Sequence, residues 1–404
     1  MVQAAVFGFG TVGSGVVEIL DKNAGQVARR VPGGLNVKYI LDIREFPDSP
    51  YGDKVVHDID QILNDPEIKV VCETMGGKEP AYTFTKKALE KGISVCTSNK
   101  ELVEYKGAEL LGIAREHNCS YLFEAAVGGG IPLIMPMLNC LEQEKITSIT
   151  GILNGTTNYI LTRMEQENAE FGDVLRQAQE LGYAERNPQA DVEAHDTGRK
   201  IAILASLLTG KSVRFDDLHV EGITKITPLD LAVAGQHGFR VKLLCVCKDM
   251  GDGQAVYAAP HLVGSDSPLY AVNDVFNAVL FHGNMVDDLM LYGRGAGKLP
   301  TGSAVVADMV TAAVHAGENV PIRWSGEVEK PAPFEECVNE FYLRVDKADA
   351  DRIKSALADG ICEDWTSDAA GEDAVFVTGA MTEGEFAAKT AGEPLKQVIR
   401  IYRK

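Results

Sequence analysis

The 404-residue sequence has no CxxC pair among its eight cysteines, no excess of basic residues and no apolar run approaching a membrane span. Each absence excludes something. Without CxxC spacing there is no ligand set for a zinc ribbon and no dithiol redox centre. Most of the cysteines sit in apolar runs, and Cys245 and Cys247 alternate in LLCVCKD as two side chains on one face of a strand. Buried core thiols are expected, and free thiols fit a reducing cytosol. Lys and Arg total 39 against 58 Asp and Glu, a net charge of -19. A surface that acidic repels nucleic-acid phosphates and anionic membranes, so neither is an expected partner. The apolar stretches fall far short of the roughly 20 residues that cross a bilayer. Met1-Val2-Gln3 leads straight into a predicted strand, with no charged segment or cleavage site, so no signal peptide is expected and a cytoplasmic location is. Internal repeats and low-complexity tracts are also lacking.

What remains is an ordinary globular composition, 45% hydrophobic and 24% charged, in a chain long enough for two or three domains. An acidic protein must draw anionic ligands in through local basic groups or backbone N–H groups. Lysines beside glycine-rich segments therefore carry most of the interest.

Short apolar runs at 2–7, 37–43, 69–75 and 92–98 alternate with helical stretches from Thr11 to Asn23, at AYTFTKKALEKG and at ELVEYKGAELLGIAREHN, before a further strand at 120–123. That alternation predicts an α/β fold with a doubly wound parallel sheet. The glycines and prolines of EAAVGGGIPLIMP mark a crossover near 124–135. Beyond it, strands around 145–152, 241–247, 254–259 and 276–281 and helices from about Tyr159, at 171–181 and at 191–209 predict a mixed α+β domain. A strongly apolar helix at 300–316 is placed to return to the first domain. Pro321, Pro331 and Pro333 mark a linker, and a compact tail of strands and helices follows.

Gly8-Phe9-Gly10-Thr11-Val12-Gly13 is a GxGxxG between a strand and a helix, the context a dinucleotide-binding Rossmann-type unit requires. The first glycine makes the turn, the second lets backbone approach a pyrophosphate, and the third allows close helix–strand packing. The alternative is a glycine-rich turn without a ligand. Asp42, after the second strand, suits a ribose 2′-hydroxyl and NAD, whereas Arg44 suits a 2′-phosphate and NADP. Both readings stand. Lys100 follows the fourth strand at the carboxyl edge of the sheet, where it can meet the nicotinamide end or an anionic substrate group, or be a solvated lysine after a helix cap. Glu124 and the carbonyls after it form an oxygen-rich loop that can hold a hard cation or simply cross between domains.

Along a helix starting near Ala190, Asp196 and Lys200 lie one turn apart on one face. A surface pair of that kind contributes about a few tenths of a kcal/mol. Because IAILASLL follows at once, Lys200 is instead expected to point into an interior cleft, where an amine can work as general acid or base. His195 is a second candidate base or a structural histidine.

In seven ordered segments the sequence resembles the homoserine dehydrogenases over residues 1–320: GFGTVGSGV, ETMGG, TSNKELV, EAAVGGGIPLI, GILNGTTNYIL, GYAERNPQADVEAHDTGRK and GAGKLPTGSAVVAD. The resemblance implies reversible oxidation of L-homoserine to L-aspartate 4-semialdehyde with NADP or NAD, in the pathway to threonine, methionine and isoleucine. It implies Lys200 as catalytic acid/base with Asp196 beside it, substrate contacts from Glu185, Asp191, Asp196 and Lys100, and cofactor contacts from Gly8 to Gly13, Lys100 and Gly302. It also implies a monovalent cation (Na+ or K+) at Glu124, Val127, Gly129 and Ile131, and a homodimer or homotetramer. The expected domains are a dinucleotide-binding domain at 1–130 joined by the 301–320 helix, a catalytic and dimerisation domain at 131–300, and a βαββαβ tail resembling an ACT domain at 339–404. The usual Asp-x-Pro-Gly turn is replaced there by Asp346-Lys347-Ala348-Asp349, which leaves a structural or dimerising tail as the competing expectation to an effector site. Two other functions stay open at this point: a dehydrogenase of another short hydroxy-amino acid, and a dinucleotide-sensing regulatory protein.

Overall fold

A computed structural model describes all residues except 358–359, 367–369 and 404, and only the backbone at 361–362. Its chain divides into two compact units: residues 1–143, 202–215 and 293–329 form the first, and 144–201, 216–292 and 330–404 the second. Composition marks edges near 130, 300 and 339. In the compact units the first edge falls at 143, and the tail is grouped with the middle of the chain.

In the first unit, β1 (Val2–Phe7), β2 (Leu35–Leu41), β3 (Val55–Val56), β4 (Ile68–Glu73), β5 (Ser94–Thr97) and β6 (Tyr121–Leu122) form one sheet in the order β3-β2-β1-β4-β5-β6. All its pairings are parallel. Such a sheet is covered on both faces, and the buried residues 4–7 of β1 and 70–73 of β4 read as continuous rather than alternating apolar runs. Strand order reverses between β1 and β4, so the carboxyl ends of those two strands are the topological switch point. The helix Lys298–Val314 packs on the helix Thr11–Lys22 and on β4 and β5. Strand β3 went unpredicted because two residues carry no period.

The second unit holds a mixed sheet of β7 (Ile146–Ile152), β8 (His219–Val220), β9 (Phe239–Asp249), β10 (Gln254–Gly264), β11 (Phe276–Gly283), β12 (Asp287–Arg294), β13 (Val338–Asp346), β14 (Ile361–Asp364), β15 (Asp373–Thr378), β16 (Met381–Thr382) and β17 (Leu395–Tyr402). The main path runs β12-β11-β7-β9-β10-β17-β13-β15-β14. Helices Gly155–Glu167, Phe171–Glu180 and Pro228–Gln236 enclose a core that includes Tyr159, Met164, Leu231, Leu243 and Ile399. Two expectations shift here. The helix expected from about Tyr159 starts at Gly155, because Asn154 caps it. The helix expected over 191–209 is two, Gln189–Val192 and His195–Thr209, broken where Ala194 takes φ 62°.

The tail runs strand, helix Ala350–Leu357, two strands, a two-residue strand, helix Glu383–Lys389 and a last strand. That last strand, β17, pairs in parallel with β10, so the tail continues the sheet of the middle region. Six cysteines (72, 96, 119, 245, 247 and 337) are buried free thiols and Cys140 is exposed; the Cys362 side chain lies outside the described residues. Among the described residues, no helix is long and apolar enough to cross a membrane.

Candidate active site

The glycine loop follows β1 at the switch point. Gly8 turns the chain with φ +90°, a conformation side chains other than glycine rarely adopt. A Cβ on Gly13 would stand 2.0 Å from the Gly8 carbonyl oxygen and 2.8 Å from Thr74 Oγ1, whereas a Cβ on Gly10 would meet no protein atom within 4 Å. The loop is therefore closed toward the sheet and open where a pyrophosphate would approach. The helix Thr11–Lys22 begins at Gly10 with no side-chain cap and no acidic residue in its first turn. Its first N–H groups and positive dipole end thus suit a phosphate, and the segment from Gly8 to Gly13 fits a dinucleotide. Gly302 packs against that helix: a Cβ there would sit 3.1–3.2 Å from Gly15, Val16 and Ile19 atoms, so it sets how closely the helix Lys298–Val314 approaches.

Asp42, at the end of β2, accepts from Phe9 N–H at 2.8 Å and from the Arg44 backbone and guanidinium at 3.0 Å. Burial opposes its ionisation, but these donors hold its pKa at about 2. At the ends of β4 and β5, the buried Glu73 accepts from Met75 N–H at 2.7 Å and Thr97 Oγ1 at 2.7 Å. Asn99 donates to the Gly77 carbonyl at 2.7 Å and caps the helix Lys100–Glu116. These contacts brace the sheet edge on which the half-buried Lys100 opens its helix.

Glu124 is buried, and both carboxylate oxygens accept backbone N–H groups: Leu133 and Ile134 on Oε1 at 2.6 and 2.7 Å, Met135 on Oε2 at 2.7 Å. Burial raises its pKa, partly offset by those donors. Its own N–H donates to Asp308 at 2.8 Å, whose carboxyl is pushed well above the usual range by burial and by the Glu124 charge. Val127, Gly129 and Ile131 are buried in the same loop. A Cβ on Gly129 would lie 2.0 Å from the Gly295 carbonyl oxygen, so that glycine is required for GGGIP and GAGKL to meet.

In the second unit Lys200 is buried, and its Nζ lies 2.8 Å from Asp196 Oδ2 and 2.7 Å from the Leu153 carbonyl oxygen. Both partners are acceptors, so the nitrogen donates twice and an ammonium keeps one N–H for a third acceptor. Asn154 Nδ2 donates to Asp196 Oδ2 at 2.9 Å and to Asp191 Oδ1 at 2.7 Å. Lys200, Asp196 and Asp191 are thus brought together. Glu185 is exposed, and its carbonyl accepts from Gln179. His195 opens the helix His195–Thr209 and is partly buried.

Sequence reasoning missed Glu73, Asn154 and Asn158. Asn158 donates to the carbonyls of Val272, Asp274 and Phe276, and its Oδ1 accepts from Lys242 at 3.1 Å. Lys242 is itself fully buried, which pushes its pKa down to about 7. The two asparagines of NGTTN, four apart at a helix start, were the available signal.

The first part of the chain, residues 8–124, matches the family model "Homoserine dehydrogenase, NAD binding domain", and residues 132–310 match "Homoserine dehydrogenase". A homoserine dehydrogenase of Synechocystis is 40% identical over 354 residues, 85% of this chain and 79% of the relative. The crystal structure of one from Thiobacillus denitrificans superposes with a TM-score of 0.90 at 31% identity, covering 99% of this chain and 98% of that one. A hyperthermophilic archaeal homoserine dehydrogenase in complex with NADPH matches with a TM-score of 0.65 at 26% identity, covering 78% of this chain and 98% of the archaeal one.

Proposed function

This chain belongs to the homoserine dehydrogenase family, and from that premise we propose that Lys200 is the acid/base of its reaction. The activity is NAD(P)-dependent interconversion of L-homoserine and L-aspartate 4-semialdehyde. When bound, the nicotinamide cofactor supplies the hydride that adds to the aldehyde carbon. Lys200 donates a proton to the aldehyde oxygen as that bond forms, and in the oxidation it takes the hydroxyl proton back. Asp196, 2.8 Å away, stabilises the ammonium and fixes its direction. The observation that carries this reading is the buried Lys200 held by two acceptors.

Glu185 and Asp191 are assigned to the α-ammonium of the substrate, a match of carboxylate to cation. Lys100 is assigned to the substrate carboxylate and the nicotinamide end, and Gly302 to the cofactor side of the first unit. NADP is the expected cofactor: Asp42 is already occupied by Phe9 and Arg44, the Arg44 side chain is 58% exposed, and the archaeal relative holds NADPH. For the monovalent cation, the carbonyls of Val127, Gly129 and Ile131 are the assigned ligands. The Glu124 carboxylate holds the loop through the N–H groups of Leu133, Ile134 and Met135. The tail has the strand order β17-β13-β15-β14, the 4-1-3-2 of a βαββαβ unit, which supports an ACT-like origin. A homodimer or homotetramer in the cytoplasm, working toward threonine, methionine and isoleucine, completes the reading.

Steady-state kinetics with homoserine against NAD and NADP, with and without threonine and monovalent salt, test it. Homoserine-dependent reduction of NADP supports it, and cofactor binding without turnover would favour a regulatory protein instead.

A further inference from the structure

Asn154 stands between the groups just assigned. It is buried, and as the cap of the helix Gly155–Glu167 its Oδ1 accepts from Thr157 N–H at 2.9 Å. An amide whose oxygen is committed to a helix start must turn its NH2 the opposite way. Here the NH2 meets Asp191 Oδ1 at 2.7 Å and Asp196 Oδ2 at 2.9 Å. Two carboxylates within reach of one nitrogen lie only a few ångströms apart, and the shared donor offsets the repulsion between them. Asp196 Oδ2 is also the atom that takes Lys200, while Leu153, the preceding residue, gives Lys200 its second acceptor. One dipeptide at a capped helix start thus orients both the lysine and its carboxylate.

We propose that Asn154 is a positioning residue for proton transfer: its NH2 bridges Asp191 and Asp196 and so holds Asp196 in the orientation that aims Lys200. This rests on Lys200 being the acid/base. The cap and the bridge use different atoms of the amide, so they can be separated. Asn154→Ser keeps a capping oxygen and removes the bridge; Asn154→Ala removes both. Asn154→Asp keeps the oxygen and adds a third carboxylate, which regains a donor only when protonated.

Full-length variants are compared with wild type and Lys200→Ala for kcat, KM, melting temperature, NADPH affinity and the pH dependence of kcat. The expected result for Asn154→Ser is a kcat lower by about tenfold or more, with melting temperature and NADPH affinity unchanged. Asn154→Asp should recover toward the wild-type rate as pH falls. Wild-type kcat in Asn154→Ser would overturn the proposal, as would losses in all three variants that follow melting temperature and are equal at every pH. If Lys200→Ala retains turnover, the acid/base assignment falls and takes this inference with it; if Lys200→Ala is dead and Asn154→Ser is unimpaired, only the role of Asn154 falls.

Discussion

Arg44 meets Asp42 edge to edge, with Nε 3.0 Å from Oδ1 and Nη2 3.0 Å from Oδ2. The same carboxylate takes the N–H of Phe9 from the glycine loop, so the end of β2 and the turn after β1 are tied together through one side chain. A ribose hydroxyl seeking Asp42 would have to displace Arg44, whereas a 2′-phosphate can recruit it.

Replacing Arg44 with Ala should therefore weaken NADP far more than NAD. A charge-assisted hydrogen bond contributes about 1.5–3 kcal/mol, which corresponds to a roughly ten- to hundredfold rise in the KM for NADP. The two KM values measured side by side decide it, and an equal change in both would contradict the assignment.

Asp42 also gives a pH dependence with a defined sign. Its folded pKa is about 2, below the ordinary aspartate value of 3.8, so the folded form is the weaker proton binder. The stability this confers is present above about pH 4 and lost as pH falls toward 2. Arg44→Ala removes one cause of the depression and should narrow that window. Stability by chemical denaturation from pH 7 down to 3 should then show a smaller acid-linked loss in the variant, assigned by its difference from wild type.

Gly13→Ala tests the glycine loop without touching charge. The new methyl would fall 2.0 Å from the Gly8 carbonyl oxygen, a backbone atom that cannot move without opening the turn. NADPH affinity should fall by about tenfold or more, because the first helical N–H groups lose their alignment. Fluorescence titration of NADPH measures it, and unchanged affinity would count against this loop as the phosphate site.

How much of this was readable in advance depends on the kind of signal. The first unit was legible because buried parallel strands are plain apolar runs and because GxGxxG states its own backbone needs at Gly8 and Gly13. Asp196 and Lys200 were legible through helical spacing. Asn154 was not, since an asparagine before Gly155 reads only as a cap, and nothing local says which carboxylates its NH2 will find 37 and 42 residues later. Glu124 was legible as part of an oxygen-rich loop, but the three backbone donors its carboxylate accepts are brought to it only by the folded loop. Strand β12 escaped because its half-exposed residues follow no clean alternation.

The tail supplies the last test, because its attachment rests on buried charge. Arg344 on β13 donates to Asp230 at 2.7 Å and to Asp373 at 2.8 Å, and Tyr342 and Gln397 reach the same Asp230. The Asp230 side chain has no solvent exposure, and it lies in the first turn of the helix Pro228–Gln236, in the middle region of the chain. Breaking such a pair by removing one partner costs about 3–5 kcal/mol, since the Asp230 charge then stays buried with no opposite charge beside it. Arg344→Met should therefore lower the stability of the middle region as well as that of the tail. An independently folded tail predicts the opposite: its own transition moves, and the one that includes the helix Pro228–Gln236 does not. Calorimetry of the full chain distinguishes the two, and hydrogen exchange across 228–236 locates the loss. A fall in protection there by about two orders of magnitude or more is the expected outcome.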